Sequence, residues 1–111
     1  MPSREIEVLQ GTLDLLILKT LSRGRMHGYT VLARLRDATG ESLKVEDAAV
    51  YPALHRLEER GLIEAEWGVS ENNRRAKYYH LTPAGKRTLV EEARSWNRYV
   101  RMVARVLGSP S

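Results

Sequence analysis

Apolar residues recur at helical spacing in four stretches of this chain, and strand-forming residues fill the interval between the third and the fourth. From Gly11 to Arg23, Leu13, Leu16, Ile17 and Leu21 share one face, and Gly24 is positioned to end the helix. His27-Gly28-Tyr29 opens a second pattern, Tyr29, Leu32, Ala33 and Leu35, which stops near Thr39-Gly40. The third begins near Glu46-Asp47, where acidic side chains suit the positive end of a helix, and repeats at Val50, Leu54 and Leu57 before Gly61. Its other edge carries Tyr51, His55, Arg56 and Glu59, residues free to meet a groove. Pro52 is awkward inside this helix: it removes an intrahelical bond, so the helix starts late or bends there.

Leu62 to Trp67 and Ala76 to Leu81 are the strand candidates. Between them Gly68-Val69-Ser70-Glu71-Asn72-Asn73-Arg74-Arg75 is rich in turn formers and ends in two guanidinium groups. The last helix has a clear start, with Thr82 as N-cap and Pro83 at the first helical position, where a proline is tolerated. Beyond it Leu89, Ala93, Trp96, Val100, Val103 and Leu107 step by alternating fours and threes, a heptad seam. A helix from Thr82 to Leu107 is roughly 39 Å long, more than a small three-helix core covers, so part of the seam must meet something else. A second copy of the same helix is the simplest partner, since twofold dimers are the commonest oligomers. The pattern predicts a mainly α fold with a small β-hairpin: a winged helix-turn-helix over residues 1–81, then a dimerisation helix and short tail over residues 82–111.

Composition narrows this further. With 111 residues, 42% of them hydrophobic, the chain suits one domain. No apolar run approaches the ~20 residues that cross a bilayer, and Met1 to Glu5 lack the hydrophobic stretch of a signal peptide, so a cytoplasmic protein without a membrane partner is expected. The absence of cysteine excludes disulfides and Cys-ligated zinc. His27, His55 and His80 lack metal-ligand spacing, and no glycine-rich phosphate loop or nucleophile triad is present, so neither catalysis, metal nor cofactor is expected. The net charge of +4 conceals an asymmetry: residues 1–73 carry 9 Lys/Arg against 12 Asp/Glu, and residues 74–111 carry 9 against 2. Basic charge from the hairpin tip onward suits phosphate contact. For Arg94, Arg98, Arg101 and Arg105, at helical spacing far from the tip, a merely solvated helix face is the alternative.

The residues assembled so far resemble the PadR family of bacterial winged-helix transcription regulators, in its short form with a single C-terminal helix. The resemblance spans roughly Leu9 to Leu107 and rests on five pieces in order. They are Leu9-Gln10-Gly11-Thr12-Leu13-Asp14, His27-Gly28-Tyr29, Tyr51-Pro52-Ala53-Leu54-His55-Arg56-Leu57-Glu58, Asn72-Asn73-Arg74-Arg75-Ala76-Lys77-Tyr78-Tyr79 and Leu81-Thr82-Pro83-Ala84-Gly85. The resemblance implies that proline is accepted within the recognition helix. It also implies that Ala48, Ala49, Tyr51 and His55 lie at the DNA-facing end of that helix, that Tyr29 supports the second helix and reaches the DNA backbone, and that Arg74, Arg75 and Lys77 form the wing. One departure is Ala49, where relatives often carry Ser or Thr; the missing hydroxyl removes a phosphate or base contact. The implied function is a homodimeric regulator of transcription, a repressor on a pseudo-palindromic operator in double-stranded DNA. Trp96, at a seam position, is implied either to pack the dimer or to hold a flat hydrophobic effector between protomers. The rival of another class is a winged helix that docks a partner protein, against which the basic wing argues.

Overall fold

Three amphipathic helices, α1 (Thr12–Leu21), α2 (Gly28–Ala38) and α3 (Asp47–Glu59), close their apolar faces on one core. The structure, a computed structural model, describes residues 6–7, 11–40 and 42–108. Met1 to Glu5, the motif residues Leu9 and Gln10, and the tail residues Ser109 to Ser111 lie outside the described residues. Helix α1 contributes Leu13, Ile17, Leu18 and Leu21, α2 contributes Val31, Leu32 and Leu35, and α3 contributes Val50, Ala53, Leu54 and Leu57. Two faces are rotated from the sequence expectation. In α1 Leu18 is buried and Leu16 only half-buried; in α2 Val31 takes the core position, while Tyr29, counted in the apolar repeat, is 66% exposed. In the first turn of α2 it is Gly28 that is buried, and that turns the next residue outward.

Helix α3 does not start late at Pro52. It begins at Asp47 and continues through the proline to Glu59. The loss is one backbone bond, to the carbonyl of Ala48, and since both residues are exposed, water can satisfy the freed oxygen.

Strands β4 (Ile63–Val69) and β5 (Arg75–Leu81) pair antiparallel from Ile63↔Leu81 to Val69↔Arg75. Strand β4 thus runs two residues past Trp67 and β5 begins one residue before Ala76, so the turn is shorter than its composition implied. Backbone closure explains this: Ser70 N–H donates to the Arg74 carbonyl at 2.7 Å, Asn73 N–H donates to the Ser70 carbonyl at 2.9 Å, and Asn73 takes the left-handed conformation at φ 58°. A third strand, β2 (Met26–His27), carries no sequence signal. It pairs antiparallel with β5 at Met26↔Tyr79 and His27↔Tyr78, giving a sheet in the order β2-β5-β4 rather than a bare hairpin. The two-residue strands β1 (Ile6–Glu7) and β3 (Leu43–Lys44) form a separate parallel pair.

Helix α4 (Pro83–Leu107) is anchored at its start. The Thr82 hydroxyl accepts from Gly85 N–H at 3.0 Å and donates to the Gly61 carbonyl at 2.7 Å, while Thr82 N–H donates to the Leu62 carbonyl at 3.1 Å. A Cβ at Gly85 would stand 2.0 Å from the Leu62 carbonyl oxygen, so only glycine lets the helix approach that closely. From this anchor α4 runs along α1 and β5 and then onward, in a molecule 52 Å long and 20 Å across its thinnest axis. Among the described residues no helix is long and apolar enough to cross a membrane.

Gly85→Ala should therefore lower unfolding stability by about 1–3 kcal/mol, the usual cost of overpacking. Urea denaturation followed by circular dichroism measures it; an unchanged midpoint would mean that the backbone at Leu62 yields freely.

Candidate nucleic-acid interface

The outward edge of α3 follows from its inward one. With Val50, Ala53, Leu54 and Leu57 all at 0% exposure, Ala48, Tyr51 and His55 are held in solvent, Tyr51 at 52%. Ala49 sits at the boundary, half-buried against the core. The lower part of the edge is engaged within the domain. Arg56 Nη2 donates to Asp14 Oδ1 at 2.8 Å, tying α3 to α1, and His55 Nε2 lies 3.6 Å from Glu59 Oε2. Ala48 and Tyr51, near the start of the helix, thus stand open to solvent, and His55, past its middle, is exposed beside Glu59.

The His-Gly-Tyr element has three separable roles. His27 caps α2, its Nδ1 accepting from Thr30 N–H at 3.4 Å. Gly28 makes room: a Cβ there would stand 2.7 Å from Tyr51 Cε1 and 3.3 Å from Leu54 Cδ1. Tyr29 then faces solvent. The Tyr51 ring resting on Gly28 brings the first turn of α2 alongside α3, so the two exposed tyrosines belong to neighbouring turns of adjoining helices.

The strand alternation sorts the wing into two faces. On one, Trp67 and Val69 stand opposite Lys77 and Arg75, with Tyr79 buried at the base. The Arg75 guanidinium carbon lies 4.4 Å from the centroid of the Trp67 ring, a cation–π stack that holds an otherwise mobile side chain. Lys77 lies along the strand, not at the tip, with Nζ 3.4 Å from Glu58 Oε1 and 5.5 Å from the Tyr79 ring. Burial raises the Tyr79 phenol above its ordinary pKa, opposed by neighbouring Lys77. Arg74 is exposed in the turn. On the other face Tyr78 meets Arg25 at 4.6 Å and the His27 ring at 5.7 Å, and Arg25 Nε lies 3.1 Å from Glu66 Oε1. Sequence reasoning missed Trp67 and Arg25. Trp67 stands across from Lys77 only because the register pairs Ile63 with Leu81; a slip of one residue sets it against Ala76.

Along α4, Leu89 and Ala93 are half-buried, Leu89 against the domain's own core. Trp96, Val100, Val103 and Leu107 are exposed, by 37%, 43%, 38% and 77%. The Trp96 and Tyr99 rings lie 6.0 Å apart and line a groove of about 410 Å³ with Gly11, Thr12, Leu15, Glu92 and Ser95. Among the described residues no group of three or more His, Cys, Asp or Glu could hold a metal ion.

Comparison with known proteins places this arrangement in context. A family model described as the transcriptional regulator PadR-like family matches residues 17–91. The chain is 31% identical over 97 residues to a transcriptional regulator of Mycobacterium tuberculosis, covering 87% of each. It superposes with a TM-score of 0.76 on a PadR-like transcriptional regulator from Bacillus cereus, at 30% identity over 89% of this chain and 94% of the other. A PadR family transcriptional regulator from Eggerthella lenta gives 0.77 at 32% identity, over 90% of this chain and 85% of the other.

The contact between Gly28 and Tyr51 can be tested directly. Gly28→Ala should push the Tyr51 ring aside and weaken binding to DNA about tenfold, the equivalent of ~1.4 kcal/mol. In a Tyr51→Ala background the same change should have little further effect on binding, a non-additivity expected of side chains in contact. Full additivity in a double-mutant cycle would show that the two act separately.

Proposed function

The chain belongs to the PadR-like family of transcriptional regulators, and from that premise we propose that this DNA-binding regulator is a homodimeric repressor of a pseudo-palindromic operator, acting in the cytoplasm. The observation that carries this reading is the exposed Tyr51 of α3 lying against the Gly28-Tyr29 turn of α2, with His55 exposed one turn further along α3 and Arg74 and Arg75 exposed on the wing. The α3 edge enters the major groove, where Tyr51 and His55 contact bases and Ala48 allows close approach. Two such helices in one dimer reach half-sites one helical turn apart, roughly 34 Å.

The wing supplies position and affinity. Arg74 and Arg75 contact phosphate or the minor groove, and Arg75 comes to the DNA already oriented by Trp67, which reduces the entropy lost on binding. Lys77, paired with Glu58, contributes through the local potential and gains a phosphate only by giving up that pair. Ala49, half-buried, bounds the contact surface at its edge.

Two protomers join through the α4 seam, in which Trp96, Val100, Val103 and Leu107 offer the exposed apolar surface and Leu89 and Ala93 connect it to the domain. Trp96 packs in this interface, and the groove it shares with Tyr99 accepts a flat hydrophobic effector. Such a ligand alters DNA affinity only if it binds one dimer geometry better than another.

Fluorescence anisotropy on DNA from upstream of the protein's own gene and on scrambled DNA tests the central reading. Tighter, salt-weakened binding upstream supports it; no binding to either at low salt overturns it. Arg75→Ala should weaken both DNAs alike, and a loss confined to the operator would assign Arg75 to base reading instead. Replacing Val100 and Val103 together by Glu should halve the mass seen by sedimentation; an unchanged mass would remove the seam from the interface.

A further inference from the structure

The charge distribution along the sequence hides a basic site in the net-acidic part of the chain. Arg23 and Arg25 of the α1–α2 connection and Arg34 of α2 line one hollow of about 550 Å³ that the distant wing turn helps to close. Its remaining walls include Tyr29 at the start of α2 and Ser70 and Asn72 of the wing turn. Arg23 and Arg34 also line an adjoining hollow of about 580 Å³, together with Lys19, so these two arginines form the ridge between the concavities. Four cations thus border the pair of hollows, against two carboxylates, Glu71 and Asp37. Arg25 is braced on Tyr78 at 4.6 Å and paired with Glu66 at 3.1 Å. Arg23 and Arg34 are exposed, and among the described residues neither has an ion pair within 4 Å.

We propose that the hollow between the α1–α2 connection and the wing turn seats a phosphate of the DNA backbone, with Arg23 and Arg34 as its unpaired donors. The inference rests on the DNA-binding reading and extends it. The hollow lies between Tyr29 and the wing turn, both parts of the surface assigned to DNA, so a strand following that surface passes over it. Guanidinium groups match phosphate with a fork of parallel donors, and those not already committed to a carboxylate gain most from it. Arg25, held by Tyr78 and Glu66, shapes the wall and adds to the positive potential.

The test compares the full-length protein with Arg23→Ala/Arg34→Ala and with Arg101→Ala/Arg105→Ala, an equal loss of charge on α4. Binding to the upstream and scrambled DNAs is followed by anisotropy across a series of salt concentrations. The Arg23/Arg34 variant should bind both DNAs several-fold more weakly, with a log Kd against log salt slope shallower by about 1 for each protomer bound, since each lost phosphate contact removes ~0.9. Thermal unfolding equal to that of the parent would exclude a folding defect, and a variant that does unfold earlier is replaced by Arg23→Gln/Arg34→Gln, with the same expectation. A parent-like Kd and slope, or the same change in the α4 variant, overturns the phosphate seat while leaving the regulator reading intact. Failure of the parent itself to bind either DNA would overturn both.

Discussion

The fully buried stripe of α3 governs the rest of this molecule. Val50, Ala53, Leu54 and Leu57 leave that helix no freedom to rotate about its axis, because turning it would expose several of them at ~1.5–3 kcal/mol each. With the rotation set, Tyr51 is held outside and lies against Gly28, Arg56 reaches Asp14, and Glu58 points to Lys77. A residue near the start of α3 faces solvent because residues further along it face the core.

The sheet does for the wing what the core does for α3. Its register puts Trp67, Val69, Lys77 and Arg75 on one face and Glu66, Tyr78 and Ala76 on the other, and each face uses an aromatic ring to hold an arginine. Exposed ion pairs contribute little to stability on their own. Arg25 with Glu66 and Lys77 with Glu58 are better understood as setting where the positive charge stands than as holding the fold together. Strand β2 matters for the same reason, since it joins the wing sheet to the start of α2 and so connects the two exposed tyrosines to the hairpin.

The long C-terminal helix divides into a part that belongs to the domain and a part that does not. Thr82, Gly85 and Leu89 lock its first turns onto the α3–β4 connection and the core. Beyond Ala93 the seam residues Trp96, Val100, Val103 and Leu107 leave their apolar surface open to solvent.

Much was legible because it is written in local backbone geometry. The period of Val50, Leu54 and Leu57 revealed which edge of α3 is inward, and Thr82-Pro83 marked the start of α4, since a cap and its helix lie within one turn. The basic hairpin tip and the outward position of Tyr51 were readable for the same reason. Other features depend on how distant segments dock. The Asp14–Arg56 pair joins residues 42 apart, β2 is a strand only because β5 lies beside it, and Tyr29 faces out because Gly28 must admit the Tyr51 ring. The gathering of Arg23, Arg25 and Arg34 beside the wing turn is of this second kind. By itself the sequence determined the four helices, the hairpin and most of the face each helix buries, through spacing that any helix or strand imposes. Only the tertiary structure decided which polar side chains meet, because that follows from contacts between elements that no local period encodes.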